Sequence, residues 1–229
     1  MITASSAAAA GPRSYCGIRF RRIFKGRSSR RYLWIHGDET TAREVLESHM
    51  TRHKGRAWLV DNPTRTIRNG AIQYDPNRMF TQHGLERNLV RLNPSSSEAE
   101  KKRIHAVVAK SREKFLRELT PPKKGLLIVL HNNARGYSVR DEVEISNATS
   151  LAAPETPNDF FLCTDPKDFE ILKRSPYNVV LQSDAKGEDD GSFSRLAAKR
   201  GIRYVNLETA IGRLEQQREM MEWLEKNLP

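Results

Sequence analysis

Tyr32-Leu33-Trp34-Ile35-His36-Gly37-Asp38-Glu39 and Leu126-Leu127-Ile128-Val129-Leu130-His131 are the two stretches on which the fold turns. Each is a short apolar run that stops at a histidine. Such runs, bounded by turn residues, read as strands buried on both faces, and in an open α/β sheet ligands gather outside the carboxyl ends of strands. Two unrelated segments would then bring His36, Glu39 and His131 to one sheet edge. Two imidazoles and a carboxylate make up a catalytic zinc shell with a fourth position left open.

Working outward, short apolar runs alternate with amphipathic stretches, which predicts an α/β domain with a central mixed, largely parallel sheet flanked by helices. Strands are expected at 32–35, 57–60, 125–130, 160–163, 178–182 and 204–207. Helices are expected at 40–50, from Ser95-Ser96-Ser97-Glu98 to Leu119, at 191–200 and at 213–227. The stretch 64–93, with Asn69-Gly70 and Asp75-Pro76 as turn signals, reads as irregular, and long irregular stretches usually serve function.

The chain has 229 residues and a formal charge of +11. That length holds one sizeable domain. Residues 1–31, which contain no carboxylate, contribute +8 of that net charge, and residues 32–229 carry the remaining +3. The reading is therefore a basic, flexible leader over 1–31 and a near-neutral catalytic domain over 32–229, with nucleic acid disfavoured as the main partner. A polyanion binder working through that leader is the reading from another class. The leader lacks a signal peptide's apolar core, so the default expectation is cytoplasmic, or exported if the true start lies upstream. No apolar run approaches the ~18 residues that a spanning helix needs. Cys16 and Cys163 have no metal-ligand spacing.

The ordered set His36-Gly-Asp-Glu39, Arg68, Asp75-Pro76-Asn77-Arg78-Met79-Phe80, Leu130-His131-Asn132 and Tyr204-Val-Asn-Leu-Glu208-Thr resembles the zinc carboxypeptidases of the carboxypeptidase A type over residues 32–229. The resemblance implies one zinc ion on His36, Glu39 and His131. It also implies Glu208 as general base, Arg68 as the arginine that polarises the scissile carbonyl, and Asn77 with Arg78 as the grip on a substrate's terminal carboxylate. The implied activity is hydrolysis of an amide next to a free C-terminal carboxylate. His36 to Glu39 and Leu130 to Asn132 also resemble the aspartoacylase and succinylglutamate desuccinylase branch, which implies an N-acyl amino acid deacylase as the alternative. Val129 stands where that branch carries an aspartate. Only 21 residues follow Glu208, too few for the β domain that typically caps deacylase sites. Asn132, Asn133 and Tyr137 are candidates to line the cleft.

Other patterns carry less. His49 and His53 have helical spacing but lack the glutamate of a zincin helix, since position 50 is Met, and a helix-end pair is the expectation. Gly191-Ser192-Phe193-Ser194 is not a nucleophile elbow. Cys163 follows Phe160-Phe161-Leu162 and reads as a buried, inert thiol.

Overall fold

In the computed structural model, which describes residues 8–133, 136–184 and 186–229, the two apolar runs lie side by side in one sheet. In chain order the elements are β1 (Ala8–Tyr15), β2 (Ile18–Lys25), β3 (Arg30–Trp34), α1 (Thr40–Arg52), β4 (Gly55–Val60), β5 (Ile67–Asn69), β6 (Ile72–Tyr74), α2 (Gln82–Leu92), α3 (Glu98–Leu119), β7 (Leu126–Asn133), α4 (Arg140–Val143), β8 (Ala148–Leu151), β9 (Phe160–Cys163), α5 (Pro166–Leu172), β10 (Asn178–Leu181), α6 (Phe193–Arg200), β11 (Tyr204–Ala210) and α7 (Leu214–Asn227). Nine strands form a sheet in the order β1-β2-β4-β3-β7-β11-β9-β10-β8, and β5 and β6 form a separate hairpin. The expected α/β domain with a mixed, helix-flanked sheet is present. Its centre, β4-β3-β7-β11, is parallel, while both outer parts contain antiparallel pairs.

The central strands are apolar along most of their length because helices cover both faces, and most of their polar residues lie toward the ends. All eight residues of β7 are buried. On one side α1 turns Ala42, Val45, Leu46 and Met50 inward, and α7 packs beside it through Met220, Met221 and Leu224. On the other, α3 buries Ile104, Val108, Phe115, Leu116 and Leu119. Ser97 starts α3 with a capping box completed by Glu100, which satisfies two otherwise unpaired donors.

Residues 8–31 differ from expectation. The basic segment read as a flexible leader forms β1, β2 and the start of β3, so no domain boundary falls at Tyr32; residues 1–7 lie outside the described residues. The reason is a period-2 pattern masked by the charge: in β2, Ile18 and Phe20 are buried while Arg19 and Arg21 face solvent. Tyr15 stacks on Phe115 of α3 at 4.7 Å, and Phe20 meets the same ring at 4.8 Å. The arginines find carboxylates from other elements, Arg13 with Glu118 and Arg19 with Asp61 at 2.8 Å each, and Arg21 with Glu47. Much of the local positive charge is thereby paired.

The stretch 64–93 is also more regular than expected, holding the β5–β6 hairpin, a 3-10 turn at Pro76–Arg78 and α2. Gly84 obscures α2 in the sequence, because glycine disfavours helix interiors. It is required there by close approach: a Cβ at Gly84 would lie 2.1 Å from the Cα of Gly191. No helix among the described residues is long and apolar enough to cross a membrane.

Candidate metal centre

The parallel strands β3, β7 and β11 end at one edge of the sheet, and the candidate residues collect there. His36 and Glu39 sit in the turn between β3 and α1. This turn is tight because Gly37 lies against the loop after β4: a Cβ on Gly37 would fall 1.7 Å from the carbonyl oxygen of Asn62, and Gly37 N donates to Thr64 O at 3.2 Å. Any other residue would push the turn, with His36 and Glu39, away from the edge. His131 and Glu208 lie within β7 and β11 rather than beyond their ends, and the two are register partners on adjacent strands.

Glu39 is the hub. Its Oε1 accepts from His36 Nδ1 at 2.8 Å and from Arg65 Nη1 at 2.9 Å; its Oε2 accepts from His131 Nδ1 at 2.8 Å and from the backbone N of Asn132 at 3.1 Å. His36 uses its other nitrogen, Nε2, on Asp75 Oδ1 at 2.8 Å. His36, Glu39 and His131 are all buried, and one donor atom from each lies within 4.8 Å of the others. The set fits a single zinc-class ion: two imidazoles and a carboxylate converge, and a carboxylate behind His36 fixes its ring orientation.

Electrostatics point the same way. Burial works against a charge on His36, but the Glu39 and Asp75 carboxylates outweigh it and raise the imidazole to about 9. Burial likewise opposes the charge on Glu39, yet His131 and His36 hold it well below the usual carboxylate range. Asp75 is depressed against its own burial, first by His36 and then by Arg78 and Arg65.

Glu208 is different. Burial pushes it up to about 7, with His131 pulling it down and the charge of Glu39 adding to the rise. Asn206 Nδ2 donates to Oε1 at 3.0 Å, while Oε2 is buried without a partner. An orphaned carboxylate oxygen costs stability.

The surrounding cleft has a volume of about 400 Å³ and is lined by six of the seven expected residues: His36, Glu39, Asn77, Arg78, His131 and Glu208. Asn132, Asn133 and Tyr137 line it too. Arg68 does not. It sits in β5 opposite Gln73, exposed, because Ile67 takes the buried side of that strand. Arg65, three residues earlier, reaches the cleft instead. The alternation at Ile67-Arg68 was the signal that Arg68 faces away; nothing in the sequence singles out Arg65. Asp75, directly before Pro76-Asn77-Arg78, also belongs to the site, a role that no motif in the sequence marks. Its side chain accepts from Asn77 N at 2.8 Å, so it both caps the turn carrying Asn77 and Arg78 and backs His36. Arg78 Nη1 lies 3.3 Å from Asp190 Oδ2. A further buried network braces the edge: Asn132 Oδ1 accepts from Ala42 N at 2.8 Å, and Gln217 of α7 joins Asn132 Nδ2 at 3.0 Å to the His131 carbonyl at 2.9 Å.

No protein-family model and no curated protein matches the chain. Solved structures to which it is similar include the ectoine utilization protein EutE from Ruegeria pomeroyi (15% identity, 90% of this chain and 59% of that one, TM-score 0.44). A succinylglutamate desuccinylase/aspartoacylase from Rhodobacter sphaeroides gives 13% identity, 92% and 59% coverage and a TM-score of 0.45. A candidate metallopeptidase from Shewanella baltica OS155 gives 11%, 92% and 81%, with a TM-score of 0.45. The chain spans 59% of the length of the first two.

Proposed function

We propose that this chain is a zinc-dependent hydrolase that cleaves an amide bond next to a free carboxylate, in the manner of a metallocarboxypeptidase. The observation that carries the reading is the convergence of His36, Glu39 and His131 at the strand edge where Glu208, buried and with one oxygen unpartnered, lies in register with His131. A zinc ion held by the three would acidify a water toward a pKa of ~7 and polarise a carbonyl.

The chain's own groups do the rest. Glu208, held near 7 by burial, is matched to taking a proton from water and passing it to the leaving amine at neutral pH. Asn77 and Arg78 offer an amide and a guanidinium to the substrate carboxylate, the guanidinium in a planar fork that suits bidentate binding. Asn77 is held by Phe193 N, which donates to its Oδ1 at 3.3 Å. Asp190 is the counter-ion that the incoming carboxylate has to share or displace at Arg78. Arg65 lines the cleft where Arg68 does not; its charge there would stabilise an oxyanion, and it also steadies Glu39.

A second reading, an N-acyl amino acid deacylase, is favoured by the size of the cleft. About 400 Å³ is toward the small end for ligand pockets and suits one acylated amino acid. The experiment is a hydrolysis panel of free and C-terminally amidated peptides set beside N-acyl amino acids, with zinc present and then chelated. A carboxypeptidase loses its peptide substrate on amidation; a deacylase releases acyl groups and ignores the peptides. Turnover that survives chelation removes both.

A further inference from the structure

A second pair of imidazoles lies at the far end of α1, outside the cleft. The rings of His49 and His53 stack with centroids 4.1 Å apart and planes 5° apart. Glu225 of α7 turns its carboxylate to the same place, with Oε1 3.4 Å from His49 Nε2. One donor atom from each of the three lies within 4.8 Å of the other two. His49 is buried, while His53 and Glu225 are half-buried, so the cluster opens to solvent on one side. Behind it the carboxylate is anchored: Tyr32 donates its hydroxyl to Oε1 at 2.7 Å, and Arg30 Nε lies 3.5 Å from Oε2.

Two imidazoles and a carboxylate select a zinc-class ion over magnesium or calcium, which prefer all-oxygen shells. Donors around a tetrahedral ion with ~2.0–2.1 Å bonds stand about 3.4 Å apart. His49 and Glu225 already meet that spacing. His53, at the C-cap of α1 on extended backbone, has to turn its ring out of the stack to bring a nitrogen to that spacing. The Tyr32 hydrogen bond and the Arg30 ion pair fix the Glu225 carboxylate from behind, as outer contacts do for a ligating carboxylate.

We propose that His49, His53 and Glu225 form a second, structural site for one zinc-class divalent ion, fastening the end of α1 to the end of α7. These are the helices that follow Glu39 and the strand carrying Glu208, so the ion would tie together the two elements that leave the cleft. The assignment is independent of what the cleft itself does.

The test uses the full chain, stripped with a chelator and dialysed against buffered micromolar zinc, with bound metal counted by elemental mass spectrometry. Two ions per chain are expected for the unaltered protein, and one each for His53→Ala, Glu225→Gln and His131→Ala. Cobalt in place of zinc adds a second readout: the visible bands of the second site should persist in His131→Ala and vanish in His53→Ala. Glu225→Gln also disturbs Tyr32 and Arg30, so if it fails to fold, the cobalt spectrum of His53→Ala decides. Two ions retained in His53→Ala overturn the proposal, as does a single ion lost with His131→Ala. A single ion lost with His53→Ala but kept in His131→Ala supports this site and removes the metal reading of the cleft.

Discussion

Replacing Glu208 with Gln should do two things at once, cutting turnover and making the metal-free protein more stable above neutral pH. Burial raises this carboxyl from 4.5 to about 7. A carboxyl with a raised folded-state pKa binds its proton more tightly when folded, so its contribution is complete below pH ~4.5 and is lost as pH rises through ~7. A rise of that size corresponds to about 3 kcal/mol at pH 8. Glutamine has nearly the same shape, stays neutral and escapes the loss. For a chain of this size that is a gain of roughly 6–12 °C in melting temperature at pH 8, and almost none at pH 4. Thermal unfolding of both proteins in chelator, followed by circular dichroism across pH 4–9, measures it. With zinc restored the gain should shrink, since a nearby cation favours the ionised form. Hydrolysis by the variant should fall by ~10²–10⁴, the usual worth of a general base. A variant that is less stable at pH 8, or that keeps its activity, would refute the assignment of Glu208 as a buried base held at a cost.

Three further outcomes follow from the contacts around the centre. Asp75→Asn removes the charge behind His36 Nε2, and zinc affinity should drop by ~10–100-fold in competition with a chromophoric chelator; unchanged affinity would mean that Asp75 only caps its turn. Arg65→Ala should lower kcat/KM at least about tenfold, whereas Arg68→Ala, at an exposed position, should stay within about twofold; the reverse order in steady-state kinetics would restore Arg68 to the site. Because flanking carboxylates, against the opposing effect of burial, raise His36 to about 9, zinc must displace its proton, so affinity should climb about tenfold per pH unit from 6.5 to 8.5. Calorimetry in buffers of different ionisation enthalpy detects the released proton, and a flat profile contradicts this charge state.

Much of this was legible in the sequence for a simple reason. Strands buried on both faces are continuous apolar runs, and β3 and β7 announce His36 and His131 by where those runs stop. Ser97 and Glu100 mark the start of α3, and Thr120-Pro121-Pro122 its end. What was hidden depends on which way a side chain faces. In β2 the alternation of Ile18 and Phe20 with arginines was overridden by composition, and a strand was mistaken for a leader. Arg68 matched an expected order of residues but pairs with Gln73 on the outer side of a hairpin, whereas Arg65 has no pattern to mark it. Asp75 stood in plain view beside Asn77, and its second task, backing His36, exists only once β3 and the turn after β6 are brought together. Glu225 lies far from His49 in the chain, so no local spacing links them.

The central claim is that one ion sits between His36, Glu39 and His131. Anomalous scattering at the zinc edge, from crystals of the zinc-loaded protein, tests it most directly. A peak ~2.0–2.2 Å from His36 Nδ1, the Glu39 carboxylate and His131 Nδ1 is expected, with Glu208 within hydrogen-bond reach of the open position. Saturating zinc that leaves those three side chains bonded only to one another, with no peak between them, would contradict it.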